Sequence, residues 1–313
     1  MLPGLIGSAS FLWSTVNKFA RKRAFSRDPV RLPARVVSVG NIQVGGAGKT
    51  PVVVAIARKA IERGLWVCIL SRGYRSEWES KGGIIQPHLE NIDPKVCGDE
   101  PALLHWLVPE ATIAVGADRL TQFKVATQTR KFDLVILDDG FQNWKIHKDC
   151  DIVLLTSKTN KEVVFRESES ALQFADFLLW TKGALKPVHI DRPLMKVSLV
   201  SALVKGSVRG PIILVTGVGD SRAVKQAIEA TGVRVAEHDC RPDHYAFSET
   251  DVKALLSRAK ENSLQLALTG KDWVKWRSYT TEDVIVFESQ LAFSSLSEEE
   301  LFWSRVFVEN PKS

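Results

Sequence analysis

The chain has 313 residues, of which 45% are hydrophobic and 25% charged. That is an ordinary globular composition, long enough for two domains with real cores, and it excludes a wholly disordered chain. Lys and Arg number 42 against 36 Asp and Glu, a net charge of +6, which suits an anionic partner without choosing among nucleotide, nucleic acid and acidic membrane. Helix-turn-helix, zinc-finger and RNA-binding patterns are absent, so no nucleic-acid partner is expected. No GxSxG hydrolase signature and no internal repeat occurs. The four cysteines, Cys68, Cys97, Cys150 and Cys240, lack metal-ligand spacing, which points to a reducing compartment.

At the N-terminus Leu2, Leu5, Ile6, Leu12, Val16 and Phe19 recur at roughly helical spacing, with Phe11 and Trp13 alongside. Arg21, Lys22, Arg23, Arg27 and Arg31 follow. A secretory signal places its charge first, so this order predicts an amphipathic helix at an interface, apolar face in lipid and basic end at acidic headgroups. A helix packed on the protein body is the alternative. No run reaches the 18 or so uninterrupted apolar residues of a membrane-crossing helix.

Pro29 and Pro33 end that segment, and a strand is expected at residues 35–39. Next come Gly45, Gly46, Ala47, Gly48, Lys49 and Thr50, then a helix over 52–63 stopped by Gly64. Strand, glycine turn and helix N-terminus together make an anion cradle, because glycines let successive N–H groups turn inward. Lys49 reaches the terminal phosphates and Thr50 offers its hydroxyl to Mg²⁺. The strict pattern has Gly where this chain has Gln43.

Apolar strands are expected at 65–70, 111–115, 132–137, 151–155 and 177–180, with helices at 99–107 and 120–129, a short one around 171–172, and a loop at 75–83. Such alternation predicts a parallel sheet whose loops gather at the strand carboxyl ends. Residues 183–210 lack that rhythm and read as a connector containing strands. A second alternation follows, with strands at 211–216 and 264–268 and a helix at 222–231. The expected fold is α/β: a P-loop nucleotide-binding α/β/α domain plus a smaller α/β domain. The segments are 1–33 amphipathic, 34–182 nucleotide-binding, 183–210 connector and 211–313 second domain.

Asp138 and Asp139 end an apolar strand, where a nucleotidase fold places its Mg²⁺ carboxylate; turn or cap aspartates are the alternative. Asp99 after Gly98 reads either as a helix cap or as a general base, and local sequence favours the cap. His244 lies in an Arg241-Pro242-Asp243-His244-Tyr245 loop; an Asp–His pair across a cleft tunes a base. Arg72, Arg119 and Lys271 occupy loops suited to neutralising phosphate.

These motifs in order carry a family likeness. Residues 38–51, SVGNIQVGGAGKTP, resemble the opening of the tetraacyldisaccharide 4'-kinases. Leu70-Ser71-Arg72-Gly73-Tyr74, Gly98-Asp99-Glu100-Pro101, Asp138-Asp139-Gly140-Phe141-Gln142 and Pro242-Asp243-His244-Tyr245 resemble four further motifs. Thr269 to Lys275 is similar to a late Thr-Glu-Lys-Asp segment, with Gly270 replacing the glutamate. The resemblance implies ATP- and Mg²⁺-dependent phosphorylation of the 4'-hydroxyl of lipid A disaccharide 1-phosphate. It places this at the cytoplasmic face of a Gram-negative inner membrane with anionic lipids, and names no obligate protein partner. It makes Asp99 the base with His244 its partner, assigns Lys49, Thr50, Asp138 and Asp139 to ATP and Mg²⁺, and suggests Arg72, Tyr74, Arg119, Gln142 and Arg166 as substrate or nucleotide contacts. Two departures stand out: Asn143 replaces a histidine, and residues 157–168 are shorter and lack the family's glycines and prolines. A P-loop regulatory switch and a weakly active glycolipid-binding paralogue are the alternative functions.

Overall fold

The structure, a computed structural model, describes residues 10, 13, 15–19, 21–22, 28–159, 162–183, 192–280 and 283–308. The expectations for Leu2, Leu5, Ile6, Phe11, Leu12, Arg23 and Arg27, and for much of the first half of the 183–210 connector, lie outside the described residues. Residues 10, 13, 15–19 and 21–22 are helical.

Among the described residues twelve strands form one sheet, and their ranges in chain order position everything else. They are β1 Arg35–Asn41, β2 Val67–Ser71, β3 Gly83–Ile85, β4 Thr112–Val115, β5 Leu134–Asp138, β6 Cys150–Thr156, β7 Phe177–Lys182, β8 Met195–Lys205, β9 Ile212–Thr216, β10 Val235–Cys240, β11 Gln265–Thr269 and β12 Ile285–Phe293. Their lateral order is β10-β9-β11-β12-β8-β7-β6-β1-β5-β2-β4-β3. Strands β7, β6, β1, β5, β2 and β4 are mutually parallel, and so are β10, β9, β11 and β12. β8 joins the two blocks. Its Met195 and Lys196 pair parallel with β7, and Val197 onward pairs antiparallel with β12. β5 and β2 are fully buried, as parallel strands covered on both faces must be, and they read as unbroken apolar runs.

The helices are α1 Lys49–Glu62, α2 Trp78–Lys81, α3 Pro94–Cys97, α4 Asp99–Leu107, α5 Arg119–Ala126, α6 Ser221–Glu229, α7 Glu249–Glu261, α8 Gly270–Trp276 and α9 Leu296–Val306. Helix α1 starts three residues earlier than its apolar pattern suggests, because Pro51 is tolerated in a first turn whose N–H groups are unpaired anyway. The 75–83 segment is not one loop: it holds α2 and the first residue of β3, an antiparallel edge strand on β4. α7 opens with a full capping box, Ser248 and Asp251 serving each other's backbone N–H.

The largest core lies where α1 and α4 press on β1, β2, β5 and β6, with Phe302 and Val306 of α9 closing it. A separate core under α7 and α8 supports β9, β11 and β12. The chain runs outward from β1 through β2 to β4, then reverses through β5 and β6 to β7. β1 therefore sits at the point of reversal, where open α/β sheets leave a crevice beyond their carboxyl ends. No helix among the described residues is long and apolar enough to cross a membrane.

Candidate active site

The residues after β1 turn at Gly45 (φ 117°) and Gly48 (φ 85°) before entering α1. Both values lie in the left-handed region that favours glycine. A Cβ on Gly48 would also fall 2.2 Å from Leu199 Cδ1 of β8. Gly48 is the N-cap of α1 and offers no side-chain bond, so the first N–H groups of the helix are left to an external acceptor. Ala47 is buried; its N–H donates to Gly45 O (2.9 Å) and its carbonyl accepts from Thr181 Oγ1 (2.8 Å). The turn is thereby anchored to β7. Gly46 stands between these points, and Thr50 follows Lys49 into the first helical turn.

Lys49 Nζ lies 3.5 Å from Asp139 Oδ1. Asp139 also receives both arms of Arg166, at 2.8 and 3.1 Å. Burial tends to raise this carboxyl, but Lys49 and Arg166 outweigh it and hold it at about 2. Its neighbour behaves oppositely. Asp138 is buried and accepts from Ser71 Oγ (2.9 Å); burial, then Glu100 and Asp139, push it up to about 7. The paired aspartates thus occupy different environments, as adjacent residues at a strand end do. Asp139 has φ 52°, and such a strained non-glycine residue persists only where its surroundings over-determine it.

Asp99 is the first residue of α4, and its cap is Gly98, so the Asp99 carboxylate is free for other work. Its Oδ2 lies 3.1 Å from Nδ1 of His244, a residue 145 positions away on the loop after β10. Lys271 Nζ approaches His244 Nε2 at 3.4 Å and Asp243 Oδ1 at 2.9 Å. An ammonium only donates, so Nε2 is the acceptor and the imidazole proton sits on Nδ1, facing Asp99. His244 also has a left-handed backbone, φ 62°.

Two cavities flank this arrangement. The larger, about 1080 Å³, is walled by Tyr74, Asp99 and His244 among others and spans both parallel blocks. The smaller, about 300 Å³, brings together Arg72, Arg119, Asp139, Gln142 and Arg166. Four of the five expected contact residues therefore meet in one place, and Tyr74 faces the other cavity. Arg119 is buried and donates to the carbonyls of Gly116 and Ala117, at 2.9 and 3.3 Å. Burial lowers its guanidinium, with Asp138 pulling the other way. Arg72 is paired with Glu79 at 2.7 Å, and Gln142 donates to Asn41 O at 2.9 Å.

Sequence reasoning passed over Ser71 and Glu100. Both stand inside quoted motifs, beside Arg72 and Asp99, and what marks them is their shared relation to Asp138. The sequence-level Asp99 cap gives way to Gly98 because a glycine at φ 102° makes the turn that a side-chain cap otherwise would. No group of three or more His, Cys, Asp or Glu residues converges as a metal cage among the described residues.

Residues 5–306 match the family model described as LpxK, tetraacyldisaccharide-1-P 4'-kinase. The chain is 32% identical over 282 residues to a tetraacyldisaccharide 4'-kinase of Geobacter metallireducens, covering 83% of each chain. It is 30% identical over 280 residues to one of Aquifex aeolicus, covering 83% of this chain and 85% of that one. It is also similar to a crystal structure of "apo" form LpxK from Aquifex aeolicus in complex with ATP, with TM-score 0.78 and 25% identity, over 98% of this chain and 100% of the other.

Proposed function

The chain belongs to the tetraacyldisaccharide-1-P 4'-kinase family, and on that premise we propose which of its residues perform the ATP-dependent phosphorylation of the disaccharide 4'-hydroxyl. The acceptor is lipid A disaccharide 1-phosphate. The fold reading is a P-loop nucleotide-binding α/β/α domain at 34–182, a connector at 183–210 and a smaller α/β domain at 211–313, following an N-terminal segment at 1–33.

Gly45, Gly46, Ala47 and Gly48 cradle the ATP phosphates with the open N-terminus of α1. Lys49 moves from Asp139 to the β/γ-phosphates as ATP arrives. Mg²⁺ fits the donor set, because burial first, and then the charges of Glu100 and Asp139, raise the Asp138 carboxyl to about 7, a state that a cation would relieve. Asp138, Thr50 and Asp139 would hold the ion. When bound, it supplies charge neutralisation on the phosphate oxygens.

Asp99 accepts the proton of the 4'-hydroxyl as the oxygen attacks, and His244 holds the carboxylate through Nδ1–H. A carboxylate serves here, since phosphoryl transfer asks mainly for positioning and charge neutralisation. Arg72, Arg119, Gln142 and Arg166 present cations and an amide to the phosphorylated sugar, and Tyr74 serves from the neighbouring cavity that Asp99 and His244 also wall. The exposed Trp13, Val16 and Phe19 of the N-terminal helical segment seat the enzyme on the anionic surface of the inner membrane's cytoplasmic face.

The observation that carries this reading is the Asp99–His244 contact across the two parallel blocks. Its test is single-turnover transfer by Asp99→Ala and His244→Ala at saturating ATP. Loss of the chemical step with ATP binding retained supports the assignment; unchanged transfer in Asp99→Ala removes it.

A further inference from the structure

Gln43, which stands where the strict phosphate-loop pattern has Gly, touches the 157–168 segment and the strand end before it. Gln43 is buried, and its amide is bonded to the last residue of β6 and to the chain just after it. Nε2 donates to Lys158 O (2.6 Å) and Thr156 O (3.2 Å), while Oε1 accepts from Thr156 N–H (2.8 Å). Alongside, Val44 N–H donates to Val164 O (2.8 Å), Arg166 N–H donates to Ile42 O (2.6 Å), and Gln43 and Phe165 form an antiparallel bridge. Residues 163–166 thus run as a short strap along the entry to the glycine turn. Arg166 at its end grips Asp139, the residue that also faces Lys49.

The strap's other edge is held by the N-terminal helical segment. Phe165 N–H donates to Ser10 Oγ (3.0 Å), and the Asn17 amide donates to Arg166 O. Arg21 forms a 2.9 Å ion pair with Glu167, their side chains 8% and 0% exposed. A buried ion pair adds little net stability but fixes geometry, because neither charge tolerates losing its partner. The segment that presents Trp13 and Phe19 outward is therefore bonded, on its inner side, to the chain lying against the nucleotide turn.

We propose that this strap makes the N-terminal helical segment part of the nucleotide site, with Gln43, Glu167 and Arg21 as positioning residues for the glycine turn and for Arg166–Asp139. None of the three is assigned contact with ATP or the acceptor. Gln43 sets the outer arm of the turn, and the Arg21–Glu167 pair sets the height of Arg166. The proposal rests on the reading that ATP binds at residues 45–50.

The test measures affinity of full-length protein for a fluorescent ATP analogue with Mg²⁺ and without lipid. Glu167→Gln and Gln43→Ala are each expected to weaken binding about fivefold, and their double variant by clearly less than the product, since both act through one element. Arg21→Lys, which keeps the charge and loses the fork, falls between wild type and Glu167→Gln, and it supplies the second arm if Glu167→Gln unfolds. Nucleotide affinity equal to wild type in the folded variants, with only the acceptor KM raised, overturns the proposal and leaves the helical segment a lipid anchor. Lys49→Ala is the internal control. If it too binds ATP normally, the site reading has failed; if it loses ATP while the strap variants do not, only the strap has failed.

Discussion

Asp99 and His244 stand 3.1 Å apart although 145 residues separate them, one on the first turn of a helix beneath β4 and the other on a loop leaving β10. The pair spans the two parallel blocks of the sheet. Because Lys271 occupies the Nε2 side, His244 acts toward Asp99 as a donor and orienter. Asp99→Asn is expected to lower kcat by about 10²–10⁴, the usual worth of a general base, with the KM for ATP little changed. His244→Ala is expected to lower kcat by about tenfold, since the proposed base remains but is no longer oriented. Equal losses in the two variants would mean that His244 does more than orient.

Asp138 predicts a pH signature in the metal-free protein. Its carboxyl stands at about 7, raised first by burial and then by Glu100 and Asp139. Between about pH 4, the ordinary carboxylate range, and 7, the folded chain holds a proton that the unfolded chain releases. This group's contribution to stability is therefore present at low pH and lost as pH rises toward 7. Asp138→Asn removes the charge, so Tm at pH 8 should rise relative to wild type and the difference should shrink at pH 5. The same variant should lose transfer activity with Mg²⁺ by at least about 100-fold. Identical Tm values at both pH values would show that Asp138 is not held in a desolvated site.

The glycine turn gives a third test. Gly48→Ala places a Cβ at φ 85° and 2.2 Å from Leu199 Cδ1. The left-handed conformation alone costs a non-glycine residue about 1–2 kcal/mol. Thermal unfolding should report a loss of that size, and ATP affinity should fall by about tenfold as the turn opens.

The glycine turn, Lys49, the Asp138–Asp139 pair and the buried strands around β1 were legible because each rests on local chemistry: glycines before a helix, carboxylates closing an apolar run. Asp99 and His244 were legible only by resemblance, since no local pattern says that two residues so far apart will meet. β10 was missed because, as an edge strand, it carries Glu237, His238 and Asp239 in a row and so shows neither an apolar run nor an alternation. β12 and α9 were missed too, although Ser295 before Glu298 signals a helix start there. Arg166 was singled out by resemblance, but its hold on Asp139 could not be read, because no local pattern says that residues 27 positions apart in two loops will meet.

The N-terminal helical segment exposes Trp13 (48%), Val16 (58%) and Phe19 (71%). Val16→Glu with Phe19→Glu should reduce co-sedimentation with phosphatidylglycerol vesicles by about tenfold or more, while ATP affinity without lipid stays at the wild-type level. The strap's bonds fall at Ser10, Asn17 and Arg21, not at Val16 or Phe19, so the two readouts separate. Undiminished sedimentation would place lipid contact elsewhere on the chain.

The most direct measurement is transfer of the labelled γ-phosphoryl group of ATP to tetraacyldisaccharide 1-phosphate by the purified chain with Mg²⁺. Wild type is expected to label the acceptor, and Lys49→Ala and Asp99→Ala each to label it at least about 100-fold more slowly. An acceptor left unlabelled by wild type, or labelled at the wild-type rate by Lys49→Ala, would contradict the account.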